Sequence, residues 1–177
     1  MSSENILAAQ QRLERLVRQR PGVALVQETP AIAQWEGAGK TNTRHPDGNV
    51  IHTGLPRELG GDGERVSPGW LLRAAMASCA VTRIAMLANE RGIALQNLEA
   101  EVDSVTDVHG LLGLSREDGQ AASPGPAQAH LQVRIAAAGV PPEHLRELVA
   151  EATQLSPMVA AFRDAVPVRL DIDTGSA

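Results

Sequence analysis

The stretch Ser67–Gly92, SPGWLLRAAMASCAVTRIAMLANERG, decides how the rest of the chain is read. It opens on Ser-Pro: serine is a favoured N-cap, and proline suits the first helical position because its missing N–H would be unpaired there. Gly92 stands where a left-handed residue is expected to end a helix. Between them Leu71, Leu72, Met76, Val81, Ile84, Met86, Leu87 and a run of alanines cover almost the whole circumference. The pattern predicts a helix buried on most sides rather than an amphipathic one. At about 1.5 Å per residue it would be roughly 35 Å long, enough to cross a small domain. Arg73 and Arg83 interrupt the apolar run, so a membrane span is not expected. Such a helix needs partners on several faces, and the remaining segments are read as those partners.

The chain has 177 residues, enough for one domain with a substantial core, and 43% of them are hydrophobic. Its aromatics are two tryptophans and one phenylalanine, so Leu, Val, Ile, Ala and Met must build that core. The formal net charge is −5 with a pI near 5.5, and Lys and Arg form no cluster. That balance argues against nucleic acid as a partner. The N-terminus lacks the basic, apolar and small-residue order of a signal peptide. With one cysteine, no internal disulfide and no cysteine-based zinc cluster can form. A cytoplasmic location is the expectation.

Taken in order, Ile6, Leu7, Leu13, Leu16 and Val17 recur at helical spacing up to Pro21-Gly22, so residues 1–22 are read as a helical arm. Val23–Thr29 and Ala31–Glu36 are predicted strands. The run His45-Pro46-Asp47-Gly48 marks a turn, and Asn49–Thr53 the returning strand of a hairpin. A glycine-rich loop, PRELGGDGERV, leads into the central helix. Period two then takes over: Leu98, Ala100, Val102 and Val105 predict a strand over 94–107, and Ala129, Leu131, Val133 and Ile135 another. Residues 109–127 are read as a long loop between them. Pro141-Pro142 starts a helix that Ser156-Pro157 breaks and restarts as a short one through Phe162. Val166, Val168, Leu170 and Ile172 predict a last strand. The class is α+β, a sandwich of antiparallel sheets around a long buried central helix.

Chemistry concentrates on Cys79. A thiol acts as a nucleophile only as thiolate, and at neutral pH an ordinary thiol is a few per cent ionised. Cys79 sits mid-helix, too far from either end for much help from the helix dipole. A cation is therefore required: Arg83 lies four residues on, on the same face, and Arg44 could reach the sulfur only through the fold. The plainer reading of Cys79 is a small apolar core residue. Ser156 reads as the cap of the short helix that follows it. No G-x-S-x-G elbow supports a serine hydrolase, and the five histidines have no metal-ligand spacing. His45 and His52 flank the hairpin turn, from which they could face the thiol. The Gly60–Gly63 run lacks the Lys-Ser/Thr of a phosphate loop.

The segment GLPRELGGDGERVSPGWLLRAAMASCAVTRIAMLANERGI resembles the OsmC/Ohr family of thiol-dependent hydroperoxide reductases. The GGD loop, the Ser-Pro helix start and the cysteine inside an alanine-rich helix carry the likeness. TQLSPMVAAF, where that family commonly has a helix ending in Cys-Pro, and the closing VPVRLDI extend it, from Trp35 to Ile172. The resemblance implies an OsmC-like domain over 23–177, an intertwined homodimer, no cofactor and no metal. It further implies that Cys79 is the peroxidatic nucleophile and that Ser156 stands at the resolving-cysteine position. Gly69 replaces the glutamate that orients an arginine, and Arg44 or Lys40 lies in the stretch where that arginine is expected, Arg44 being the candidate activator. The implied activity is reduction of organic hydroperoxides with an external thiol or dithiol as reductant. The alternative is a non-catalytic dimer of the same fold, a scaffold or a binder of small apolar ligands.

Overall fold

A computed structural model of one chain describes residues 3–164 and 166–174. The expected helical arm and domain also include residues 1–2, 165 and 175–177, which lie outside the described residues. The centre is the helix the sequence predicts, whose place in chain order makes it α2 (Pro68–Glu90, 23 residues). Ser67 Oγ accepts the Trp70 N–H at 3.1 Å. At the other end Gly92 takes a φ of +66°, and the Ile93 N–H returns to the Ala88 carbonyl at 2.9 Å. Both termini are thus closed as the Ser-Pro and glycine signals require.

By length and composition alone α2 could cross a membrane, yet one of its sides packs into the core. Met76, Ala80, Ile84, Leu87 and Ala88 form the buried side, while Trp70 and Leu72 stay 49% and 41% exposed. The expectation of burial on most sides is therefore not met by one chain. Against the buried side lie α4 (Pro142–Gln154) and an antiparallel ribbon of β4 (Leu95–Thr106) and β5 (Pro126–Ala137). Register sets Leu98 opposite Ile135, Ala100 opposite Val133 and Val102 opposite Leu131. On the other face of the ribbon, Arg134 bonds Glu99 at 2.9 Å. Ile84, Leu87, Ala88, Leu148 and Ala152 make the core proper. Each fully buried Leu or Ile there is worth about 2 kcal/mol of transfer free energy.

A second antiparallel sheet has the order β1 (Ile32–Gly37), β2 (Lys40–Arg44), β3 (Val50–Thr53). Its Asp-Gly turn forms as predicted: Gly48 has a φ of +99°, and its N–H bonds the His45 carbonyl at 3.0 Å. None of these strands makes more than marginal contact with α2. The sheet is held instead through the loop that feeds the helix. The Gly54 N–H bonds the Val66 carbonyl at 3.0 Å, Lys40 ion-pairs with Asp62, and Arg65 pairs with Glu36 at 2.5 Å.

Three expectations need correction. Val23–Thr29 is not a strand: a 3-10 turn covers Pro21–Val23, and Leu25 beyond it is 95% exposed. Residues 166–172 form no strand either, with Val168 91% exposed. In both segments the apolar side chains have no strand within this chain to pair with, and a lone extended segment cannot satisfy its backbone in a ladder. The supposed loop 109–127 contains the short helix α3 (Val108–Leu112), capped by the Asp107 carboxylate, and an antiparallel bridge between Ser115 and Ala121. At the N-terminus α1 (Ser3–Gln19) docks on α2 through Gln10 Nε2, which donates to Glu90 at 2.8 Å.

Candidate active site

The site begins with the break between α4 and α5 (Pro157–Arg163). Pro157 cannot continue α4 and disfavours helical geometry at the residue before it. Ser156 accordingly sits at φ −80°, ψ 118°, outside both helices. The turn carries it inward: Ser156 is fully buried, and its hydroxyl donates to Cys79 Sγ at 3.3 Å across 77 positions of sequence. Cys79 itself is partly buried. The expected capping role of Ser156 is not observed, since its side chain makes no cap hydrogen bond and only its carbonyl receives the Ala160 N–H. A buried hydroxyl has one proton to give, and this one goes to sulfur. A donor there stabilises negative charge on the acceptor.

The two candidate cations are placed very differently. Arg44 ends β2, exposed, opposite Ile32 and Val50, and one chain does not bring it to Cys79. Arg83 follows Cys79 by one helical turn. Residues four apart share a helix face, so it stands on the side of α2 that bears the sulfur. Its Nε is buried and has no hydrogen-bond partner among the described residues. Lys40 is engaged by Asp62, which holds the ammonium above its ordinary pKa and is itself held below the usual carboxylate range. His45 pairs with Asp47 at 2.7 Å, and His52 lies 4.0 Å from Glu36, so neither faces the thiol. No group of three potential metal ligands occurs among the described residues.

One turn before Cys79, Met76 enters the wall of an open groove of about 340 Å³. Ala129 and Leu131 of β5 and Val159 and Phe162 of α5 contribute to its apolar lining, and Arg163 also lines it. Neither Cys79 nor Ser156 lines this groove; Met76 and Val159 each stand three residues from one of them.

A family model described as OsmC-like protein matches residues 61–171. The chain belongs to the OsmC-like family. No curated protein matches it. Among solved structures it resembles an OsmC-like protein from Mycoplasma pneumoniae, with a TM-score of 0.65 at 13% identity over 80% of this chain and 91% of that one. It also resembles an organic hydroperoxide resistance protein OsmC from Legionella pneumophila, with a TM-score of 0.55 at 24% identity over 79% and 92%. The organic hydroperoxide resistance protein OhrB of Bacillus subtilis gives 0.52 at 21% identity over 84% and 100%. At these identities the likeness establishes the OsmC-like fold.

The family resemblance led to the expectation that Ser156 sits near Cys79, and the hydroxyl-to-sulfur bond is what the structure adds. Sequence reasoning missed the charged latch of Lys40, Asp62, Arg65 and Glu36 that seats the loop before α2. The signal for the latch was the charged run Asp62, Glu64 and Arg65 in a glycine-rich loop. The groove had none, because Met76 and Phe162 read simply as core.

Proposed function

We propose that this OsmC-like chain is a single-cysteine, thiol-dependent organic hydroperoxide reductase. The observation that carries the reading is the bond from Ser156 to Cys79, a donor buried beside the only thiol at 3.3 Å. In the proposed cycle the Cys79 thiolate attacks the terminal oxygen of a hydroperoxide. A sulfur–oxygen bond forms, the peroxide bond breaks, and the alkoxide takes a proton to leave as an alcohol. Sulfur is oxidised by two electrons to a sulfenic acid. An external thiol then displaces water to form a mixed disulfide, and a second thiol releases Cys79 and carries off the disulfide. Ser156 supports the sulfur as a hydrogen-bond donor and does not resolve it. The groove lined by Met76, Leu131 and Phe162 suits an apolar substituent on the peroxide. That groove equally supports the second reading, a small apolar-ligand binder whose Cys79 is not turned over.

The assembly proposed is a homodimer in the cytoplasm. Its support is the exposed side of α2, the three-stranded sheet with little to pack on, and the alternating apolar tail at 166–172. Light scattering at micromolar concentration reports the dimer directly, and a monomer there rules it out. The chemistry is tested by intact mass after one equivalent of cumene hydroperoxide, with and without a sulfenic-acid trap. One added oxygen, captured by the trap, is expected. If neither the mass gain nor the adduct forms, the reductase reading fails and the binder reading stands.

A further inference from the structure

We propose that α1 is a membrane-surface helix, which seats this chain on an anionic lipid bilayer. The proposal stands whether or not Cys79 turns over. The family match covers residues 61–171, so α1 lies outside the domain that the chain shares with its relatives. Within α1, Ile6, Ala9, Leu13 and Leu16 recur every three or four residues and so share one face. That face is unpartnered: Ile6 is 44% exposed, Leu13 61% and Leu16 41%. The shallow groove along it is lined by Asn5, Ile6, Ala9, Gln10 and Leu13, all of them α1 residues. The contact with α2 uses a flank of the helix instead. There Gln10 donates to Glu90 at 2.8 Å, while its Oε1 is buried with no hydrogen-bond partner among the described residues. A buried acceptor without a donor weakens that docking. Charge identifies what covers the stripe. Through Arg20 the segment carries Arg12, Arg15, Arg18 and Arg20 against Glu4 and Glu14, in a chain whose net charge is −5. A positive end is thus set apart from an otherwise acidic protein, an asymmetry that points to an anionic surface. Arg18 pairs with Glu14 at 2.6 Å, whereas Arg12 and Arg15 have no ion pair among the described residues. A protein partner would grip aromatic anchors, and α1 has none. A bilayer asks only for apolar area and positive charge, and such a helix lies in the headgroup layer without spanning it. The test is cosedimentation of the full chain with phosphatidylcholine vesicles, with and without half of the lipid replaced by phosphatidylglycerol. Each surface cation is worth about fivefold on an anionic bilayer, so the net charge of the segment should give about thirtyfold tighter binding to the anionic vesicles. Arg12→Gln with Arg15→Gln should abolish that preference. Leu13→Gln with Leu16→Gln should weaken binding to both vesicles. All four residues are exposed, so both variants should keep the parent's circular dichroism. A parent that stays in the supernatant with anionic vesicles overturns the proposal, as does a leucine variant that pellets like the parent. Loss of oligomeric mass by the leucine variant in light scattering would overturn it in favour of a second copy of this chain.

Discussion

Ser156→Cys places a second sulfur where a hydroxyl now lies 3.3 Å from Cys79 Sγ. The longer carbon–sulfur bond brings it nearer, and a small shift of the short helix α5 closes the remainder to a bond of about 2.05 Å. A bridge between positions 77 apart takes loop entropy from the unfolded chain, about 4.5 kcal/mol at 25 °C by the chain-entropy relation. Spread over 177 residues, with an unfolding entropy of about 2.1 cal/mol/K each, that raises Tm by about 12 °C. Engineered bridges commonly return less than the relation gives, so the figure is an upper value. The assay oxidises the variant with one equivalent of cumene hydroperoxide and titrates thiols after denaturation. It then compares unfolding of the oxidised and dithiol-reduced forms. Two thiols should vanish, return on reduction, and take the added stability with them. Turnover with a dithiol should exceed that of the parent. If both thiols stay free while the parent's Cys79 is oxidised under the same conditions, the placement of Ser156 against the sulfur is refuted.

Leu148 is fully buried between α4 and α2, so Leu148→Ala should lower stability by about 3 kcal/mol in urea titration. A cost below about 1 kcal/mol would mean that α4 does not dock as described. At Gly61 an added Cβ would lie 1.9 Å from the Leu55 carbonyl oxygen, a backbone atom that cannot swing aside. Gly61→Ala should therefore cost about 2 kcal/mol or more, and a thermal midpoint equal to the parent's would contradict the loop geometry. Asp107 is held down to a pKa of about 2, first by Arg116 and then by His109. Its folded value lies below its unfolded one, so its contribution is present above about pH 4 and is lost as pH falls through about 2. Asp107→Asn should accordingly speed amide exchange across 107–121 at pH 7, with the difference shrinking toward pH 2. A difference independent of pH would assign the effect to lost capping instead.

The parts of the fold that the sequence disclosed are those set by nearest neighbours along the chain. Ser67, Pro68 and Gly92 fix the ends of α2, Asp47-Gly48 fixes a hairpin turn, and the alternation around Val102 and Val133 fixes the β4–β5 ribbon. Each is decided within a few residues by dihedral preference or side-chain period. The failures are segments whose state depends on a partner. Val168 and Leu25 alternate or cluster like strand residues, but a strand exists only with an edge to bond, and none reaches them in one chain. The site divides in the same way. Cys79 is visible as the sole thiol, whereas the hydroxyl that meets it comes from a helix break 77 positions away, and locally that serine looks like any cap. Arg83 shows in sequence as a charge on an apolar helix, whereas the burial of its Nε with no hydrogen-bond partner among the described residues shows only in the structure.

In the proposed cycle a hydroxyl at position 156, rather than a thiol, sets the order of the kinetics. An internal resolving group would act at a fixed effective concentration, so an oxidised sulfur would be cleared by a first-order step that ignores the surroundings. Here that step is bimolecular. The lifetime of the oxidised state scales inversely with the abundance of small thiols, and the fraction of chains carrying it at steady state reports the ratio of peroxide to thiol. When thiols run short the state accumulates and faces a second oxidation that thiols do not reverse. A chain working by that cycle would keep a record of the encounters that its surroundings failed to erase.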